Sequence, residues 1–218
     1  MSVLLTGFGP FGGVATNPSE QIARALDGQR IAATPITSVV LPVATEQVQT
    51  LLSAAIERTQ PELIVVTGVA PGRTAAALER IAVNVRDFPL PDIDAHTPID
   101  EPVLTSEPTA YLTTLPVKAI LQRWAQEDVP GYLSNTAGTY VCNQVFYLAC
   151  HYARARNIPA GLIHLPSSPS SLPAAGPSGH APPPTADLAT LTRAVHLAIE
   201  IALTHVGADL HASAGALS

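Results

Sequence analysis

Short runs of aliphatic and β-branched residues alternate along this chain with stretches of helical periodicity, and that alternation limits the folds open to it. "SVLLTGF", "ELIVVTGV" and "AGLIHL" are short and evenly apolar, and read as strands covered on both faces. "TEQVQTLLSAAIERT" repeats its apolar residues at a spacing of three and four, the mark of a helix with one buried face. Asn17-Pro18-Ser19-Glu20 reads as a helix start, with Asn as N-cap, Pro in the first turn and Glu at the third position. "IAATPITSVVLPV" is expected to form a second strand. "ERIAVNVR" is expected to form an alternating strand with Ile81, Val83 and Val85 on one side. "LPVKAILQRWAQED", "YVCNQVFYLACHYARA" and "TADLATLTRAVHLAIEIALTHV" complete the helices, and "GYLSN" is a further strand.

Strand and helix in alternation imply an α/β fold: a three-layer α/β/α sandwich with a mainly parallel twisted sheet. The 218 residues suit a single domain, 1–218, with a sizeable core. No internal repeat divides it. Residues 86–116 are rich in Pro and Asp and read as loop. Residues 166–185 hold seven prolines and also read as loop. The small residues of 206–218 read as a frayed tail.

"TGFGPFGG" satisfies G-x-G-x-x-G at Gly7, Gly9 and Gly12, the dinucleotide fingerprint. The surroundings disagree with that reading. The expected helix start at Asn17 falls five residues after Gly12, Pro10 removes one backbone N–H, and the second strand ends without the acidic residue that holds a ribose. No cofactor is expected. What remains is a pair of aromatics, Phe8 and Phe11, at the carboxyl end of the first strand, where open α/β sheets bind ligands. They line a small apolar pocket or plug the core.

A net charge of −6 argues against nucleic acid and against a basic membrane-binding face. The start "MSVLLTGFGP" lacks a basic leader, and no run is long enough to span a bilayer. The two cysteines, Cys142 and Cys150, lie eight residues apart on one expected helix, about 12 Å of rise and too far for a disulfide. Free thiols and no export signal point to the cytoplasm.

"SNTAGTYVCNQ" carries the strongest chemical signal. A strand ends near Ser134, a turn follows, and Cys142 falls in the first turn of a helix, where the dipole favours a thiolate. The plainer reading is a small core residue, as for Cys150. A nucleophile needs a base within reach. His151 faces the other side of the same helix, about 13 Å along it. His164, ending the "AGLIHL" strand, opens into the same crevice. Glu79 stands on the apolar side of its strand, and a buried carboxylate needs a partner. His164 would suit, since a carboxylate fixes the imidazole tautomer and steadies its charge; a salt bridge to Arg73 or Arg80 is the alternative.

Five stretches together resemble the pyroglutamyl peptidase I, or pyrrolidone-carboxylate peptidase, family: "LLTGFGPFGG…NPSE", "GR…LERIAVNVRD", "PIDEPV…AYLTTLPVKAI", "SNTAGTYVCNQ" and "GLIHLP". The resemblance covers nearly the whole chain. It implies a cysteine exopeptidase that removes N-terminal pyroglutamate, with Cys142 as nucleophile, His164 as general acid/base and Glu79 as the orienting carboxylate. It places the pyroglutamyl pocket at Phe8 and Phe11, with Asn17 supporting the loop and Tyr140 and Val141 flanking the cysteine. It further implies a fold like purine nucleoside phosphorylase, no cofactor or metal, and a homo-oligomer, a tetramer or dimer. Many relatives read Gly-Gln-Ala-Gly-Gly-Arg where this chain has Gly68-Val69-Ala70-Pro71-Gly72-Arg73, and many carry an arginine at Pro89. Those departures leave a catalytically weakened peptide binder of the same fold as an alternative, with Arg86 as a possible substitute for the missing cation.

Overall fold

The computed structural model describes residues 2–172 and 183–215. In chain order its elements are β1 (Val3–Phe8), α1 (Pro18–Leu26), β2 (Arg30–Ile31), β3 (Thr34–Leu41), α2 (Thr45–Thr59), β4 (Leu63–Val69), β5 (Ala76–Glu79), β6 (Ile81–Val83), β7 (Ala110–Leu112), α3 (Val117–Gln126), β8 (Gly131–Ser134), α4 (Val141–Arg156), β9 (Ala160–Leu165) and α5 (Leu188–Thr204). Seven strands form one sheet in the order β2-β3-β1-β4-β9-β5-β8, while β6 and β7 pair separately.

Strand alternation sorts the side chains into two cores. Val3 and Leu5 of β1, Leu63 and Val65 of β4, and Ile163 and Leu165 of β9 face α1, α3 and α5. Leu4, Phe8, Ile64, Val66 and Leu162 face α2 and α4. The sandwich is therefore α/β/α, and both faces of the central strands are sealed, as their unbroken apolar runs require.

Three local expectations need correction. The stretch read as one second strand is a hairpin: β2 and β3 pair antiparallel across Ala32 and Ala33, both in the left-handed region at φ 45° and 67°. Alanine carries no turn signal, so the break is invisible in the sequence. The strand read through "ERIAVNVR" breaks at Arg80. There the chain leaves the main sheet, and Ala82, not Ile81 or Val83, is the buried residue of β6. Finally, β5 runs antiparallel to β9 and parallel to β8, so this edge of the sheet is reversed. The loop 70–75 between β4 and β5 is too short for a crossover helix, and a parallel return needs one.

The loop and tail stretches are partly described. Residues 110–112 form β7 within the expected 86–116 loop. Of the proline-rich 166–185 segment, 173–182 lie outside the described residues. In the tail, the Asp209 carboxylate accepts from the backbone N–H groups of Lys118 (2.9 Å) and Ala119 (3.0 Å), capping α3 from a distant part of the chain.

Candidate active site

The glycine loop serves packing. A side-chain carbon on Gly7 would stand 2.2 Å from the Ser19 carbonyl oxygen, so Gly7 lets the start of α1 rest directly on β1. Asn17 occupies that helix start itself: its Oδ1 accepts from Ser19 N (3.0 Å) and Ser19 Oγ (2.8 Å), and its Nδ2 donates to Gly9 O (3.0 Å). The helix end that would meet a pyrophosphate is thus filled by its own side chain, and the dinucleotide reading is withdrawn.

Three elements converge above the sheet. α4 begins with Tyr140 as N-cap, and no side chain caps it, so the N–H groups of its first turn stay open. Cys142 is the second residue of that turn. It stands over Gly68 near the end of β4. A side-chain carbon on Gly68 would lie 2.7 Å from Cys142 Sγ, 3.5 Å from His164 Cδ2 and 3.5 Å from Phe8 Cε2. Sulfur, imidazole and the Phe8 ring therefore border one point above Gly68. On the ring edge opposite Cδ2, His164 Nδ1 donates to Glu79 Oε1 at 2.8 Å.

Glu79 enters from a direction the sequence reading did not anticipate. On the reversed β5 it pairs with Leu162, two residues deeper than His164, and its side chain is fully buried. Ala77 and Glu79 share the face that α4 covers, opposite Ala76 and Leu78. Its carboxylate serves both partners between which the sequence could not choose. Oε1 accepts from His164 and also from Arg73 Nη2 at 2.6 Å. Arg73 is tied further to Tyr132 OH (2.6 Å) and the Thr136 carbonyl (3.3 Å). Arg80 forms no such pair among the described residues.

Electrostatically, the sulfur departs from expectation. Burial pushes the Cys142 thiol up to about 12 and the Glu79 charge adds to this; its own backbone N–H and Arg73 pull down without prevailing. The helix dipole does not outweigh desolvation here, and burial favours the neutral thiol. Cys150 is buried in the core eight residues further along the same helix, and both thiols are free.

Cys142 and His164 open onto a cleft of about 890 Å³, within the range of small-ligand sites. Phe11, Val14 and Asn17 form one side, and Pro89, Leu90 and Tyr140 the other. The Tyr140 ring lies 4.5 Å from that of Phe88 and 6.2 Å from that of Phe11, and its hydroxyl donates to the Pro91 carbonyl. Val69, Pro71 and Pro89, the three departures, all line the cleft. Phe8 and Val141 do not. Their side chains are sealed in the core, Phe8 behind the sulfur and Val141 at the helix start. Arg86 does not replace the missing arginine; its guanidinium is bound to Thr45, Glu46 and Glu101 outside the cleft. No carboxylate is among the described lining residues, and Arg73 is the one permanent charge. Gly68 is the site residue that sequence reasoning passed over, and Arg73 entered it only as an alternative partner for Glu79.

The sequence model of the pyroglutamyl peptidase family (peptidase C15) matches residues 1–205. The chain belongs to that family. It is 40% identical over 205 residues to the pyrrolidone-carboxylate peptidase of Pyrococcus furiosus, covering 93% of this chain and 98% of that one. It is 42% identical over 187 residues to that of Vibrio campbellii, covering 85% and 86%. Among solved structures, pyrrolidone carboxyl peptidase from Thermococcus litoralis superposes with a TM-score of 0.92 at 34% identity, covering 97% of this chain and 99% of that one. A mutant of the P. furiosus protein gives 0.91 at 38% identity, covering 94% and 100%. In this pyroglutamyl peptidase family member, the Cys142 sulfur and a hydrogen-bonded His164–Glu79 pair converge above Gly68.

Proposed function

We propose that this chain is a cysteine exopeptidase that removes N-terminal pyroglutamate from peptides, with Cys142, His164 and Glu79 as its catalytic groups. The observation that carries the reading is the convergence of the Cys142 sulfur and of His164, itself hydrogen-bonded through Nδ1 to Glu79, on one point above Gly68. As the sulfur attacks the pyroglutamyl carbonyl carbon, its proton passes to His164 Nε2. The Cys142 N–H and its neighbours in the uncapped first turn of α4 receive the oxyanion. The imidazolium, steadied by Glu79, returns its proton to the leaving amine as the C–N bond breaks. A thioester remains. His164 then takes a proton from water, hydroxide adds to the thioester, and pyroglutamate departs as the sulfur recovers its proton.

The cleft accounts for the choice of substrate. Pyroglutamate is a neutral lactam, whereas N-terminal Gln or Glu carries an ammonium. With no carboxylate in the described lining, that ammonium would be desolvated and unpaired. Phe11 and Tyr140 supply apolar cover for the ring. Asn17 supports the Gly9 loop, Phe8 backs the sulfur, and Val141 offers its backbone.

The protein works as a homodimer or homotetramer in the cytoplasm. Exposed Ile99 and Leu112 on the 86–116 segment favour assembly, and two unpaired cysteines suit a reducing compartment. The test is hydrolysis of a pyroglutamyl aminocoumarin by the wild type, with prolyl and glutaminyl analogues as controls. Cys142→Ala is expected to abolish turnover and Cys150→Ala to preserve it; turnover by Cys142→Ala overturns the proposal.

A further inference from the structure

We infer that Arg73 is a positioning residue that sets the pH at which the Glu79–His164 pair is ready to take the sulfur's proton, an inference that rests on the peptidase reading above. The Glu79 side chain is fully buried, and a carboxylate stripped of water draws a proton unless a cation holds it. Its Oε2 has no hydrogen-bond partner among the described residues, so the hydrogen bonds that hold the carboxylate fall on Oε1. Two donors share that oxygen: Arg73 at 2.6 Å and His164 at 2.8 Å. Only the guanidinium stays charged at every working pH. Without it, Glu79 and His164 together would bind a proton more readily, and the thiol would lose its base.

The guanidinium is held independently of Glu79. Nη1 donates to Tyr132 OH, Nη2 reaches the Thr136 carbonyl, and the group sits over the Tyr132 ring at 5.7 Å. Among the described residues, the titratable and charged groups around the pair are Arg73 on the loop before β5, Tyr132 on β8, and Cys142 and Tyr140 at the start of α4; the adjoining end of β4, Thr67 and Gly68, brings none. Arg73 also limits how firmly the carboxylate holds the imidazolium, which must give its proton to the leaving amine. A residue serving only as a strut would affect folding or the height of the activity plateau and leave the pH dependence in place.

The experiment measures kcat/KM against pH for the wild type, Arg73→Gln and Arg73→Lys, with melting curves for each. Removing a cation in contact with the carboxylate favours the protonated pair. The acid limb of Arg73→Gln is therefore expected to move to higher pH by about one unit or more, with Arg73→Lys between it and the wild type. Tyr132→Phe, which loosens the guanidinium without touching Glu79, is expected to give a smaller shift the same way and carries the test if Arg73→Gln does not fold. Iodoacetamide alkylation of Cys142 in a Cys150→Ala background reads the same pair without turnover. Absence of hydrolysis by the wild type would defeat the peptidase reading. Acid limbs unmoved in folded Arg73 variants, by alkylation as by turnover, would defeat this one.

Discussion

Replacing Gly68 with alanine tests whether the sulfur's position is as constrained as the structure requires. The added carbon would lie 2.7 Å from Cys142 Sγ, while its other two neighbours, His164 Cδ2 and Phe8 Cε2, are at an ordinary 3.5 Å. Non-bonded heavy atoms rest at roughly 3.5–4.0 Å, so the sulfur must retreat by about 1 Å. It ends a short side chain that can rotate, and the backbone need not follow. The stability cost then falls near the low end of overpacking, about 1 kcal/mol, or about 2–4 °C in melting temperature for a chain of this length. Catalysis is less forgiving, because a reacting atom displaced by about 1 Å costs on the order of a hundredfold. The expected outcome is a folded protein with kcat/KM on pyroglutamyl aminocoumarin down by roughly that factor. Gly9→Ala is the control, since a carbon there meets nothing closer than Leu41 O at 3.9 Å. Wild-type kcat/KM in Gly68→Ala would refute the argument.

The raised Cys142 thiol predicts that the free enzyme carries no thiolate at neutral pH. The ultraviolet difference between wild type and Cys142→Ser is expected to lack thiolate absorbance until strongly alkaline pH, and a thiolate band at neutral pH contradicts it. Asp92 fastens the wall that bears Pro89 and Leu90. Burial opposes its charge, but the N–H groups of Thr45, His96 and Asp94 outweigh burial and hold its carboxyl below the usual range. Because the folded value is the depressed one, the stabilisation is complete above the unfolded value of about 3.9 and is lost as pH falls through the folded one. Asp92→Asn is therefore expected to cost about 1–3 kcal/mol at neutral pH, with the gap in urea midpoints closing in strong acid; a gap independent of pH would contradict this.

What the sequence made legible was local. β1, β4 and β9 follow from unbroken apolar runs. The start of α1 follows from Asn17 and Pro18, with the Ser19 N–H on the Asn17 side chain as expected. Cys142 and His164 were legible because a helix start and a strand end each have a sequence signature. Gly68 and Arg73 were not. A glycine that makes room for a sulfur more than seventy residues later looks, in sequence, like any other strand glycine. Arg73 could be named as a partner for Glu79, but the sequence offered salt bridge and triad as alternatives, whereas one carboxylate oxygen accommodates both.

The reversal of β5 has the largest chemical consequence among the features the sequence concealed. On a parallel strand, a glutamate at the carboxyl end would stand at the mouth of the cleft, level with His164 and open to water. There its hold on an imidazolium would be screened to a fraction of its buried strength. The short loop 70–75 instead turns β5 back, so that Glu79 opposes Leu162 and reaches His164 diagonally across the strand pair. The same turn leaves Arg73 at the upper, cleft-facing end. A dry carboxylate bound to the imidazole and a cation bound to that carboxylate both follow from one connection too short to cross the sheet.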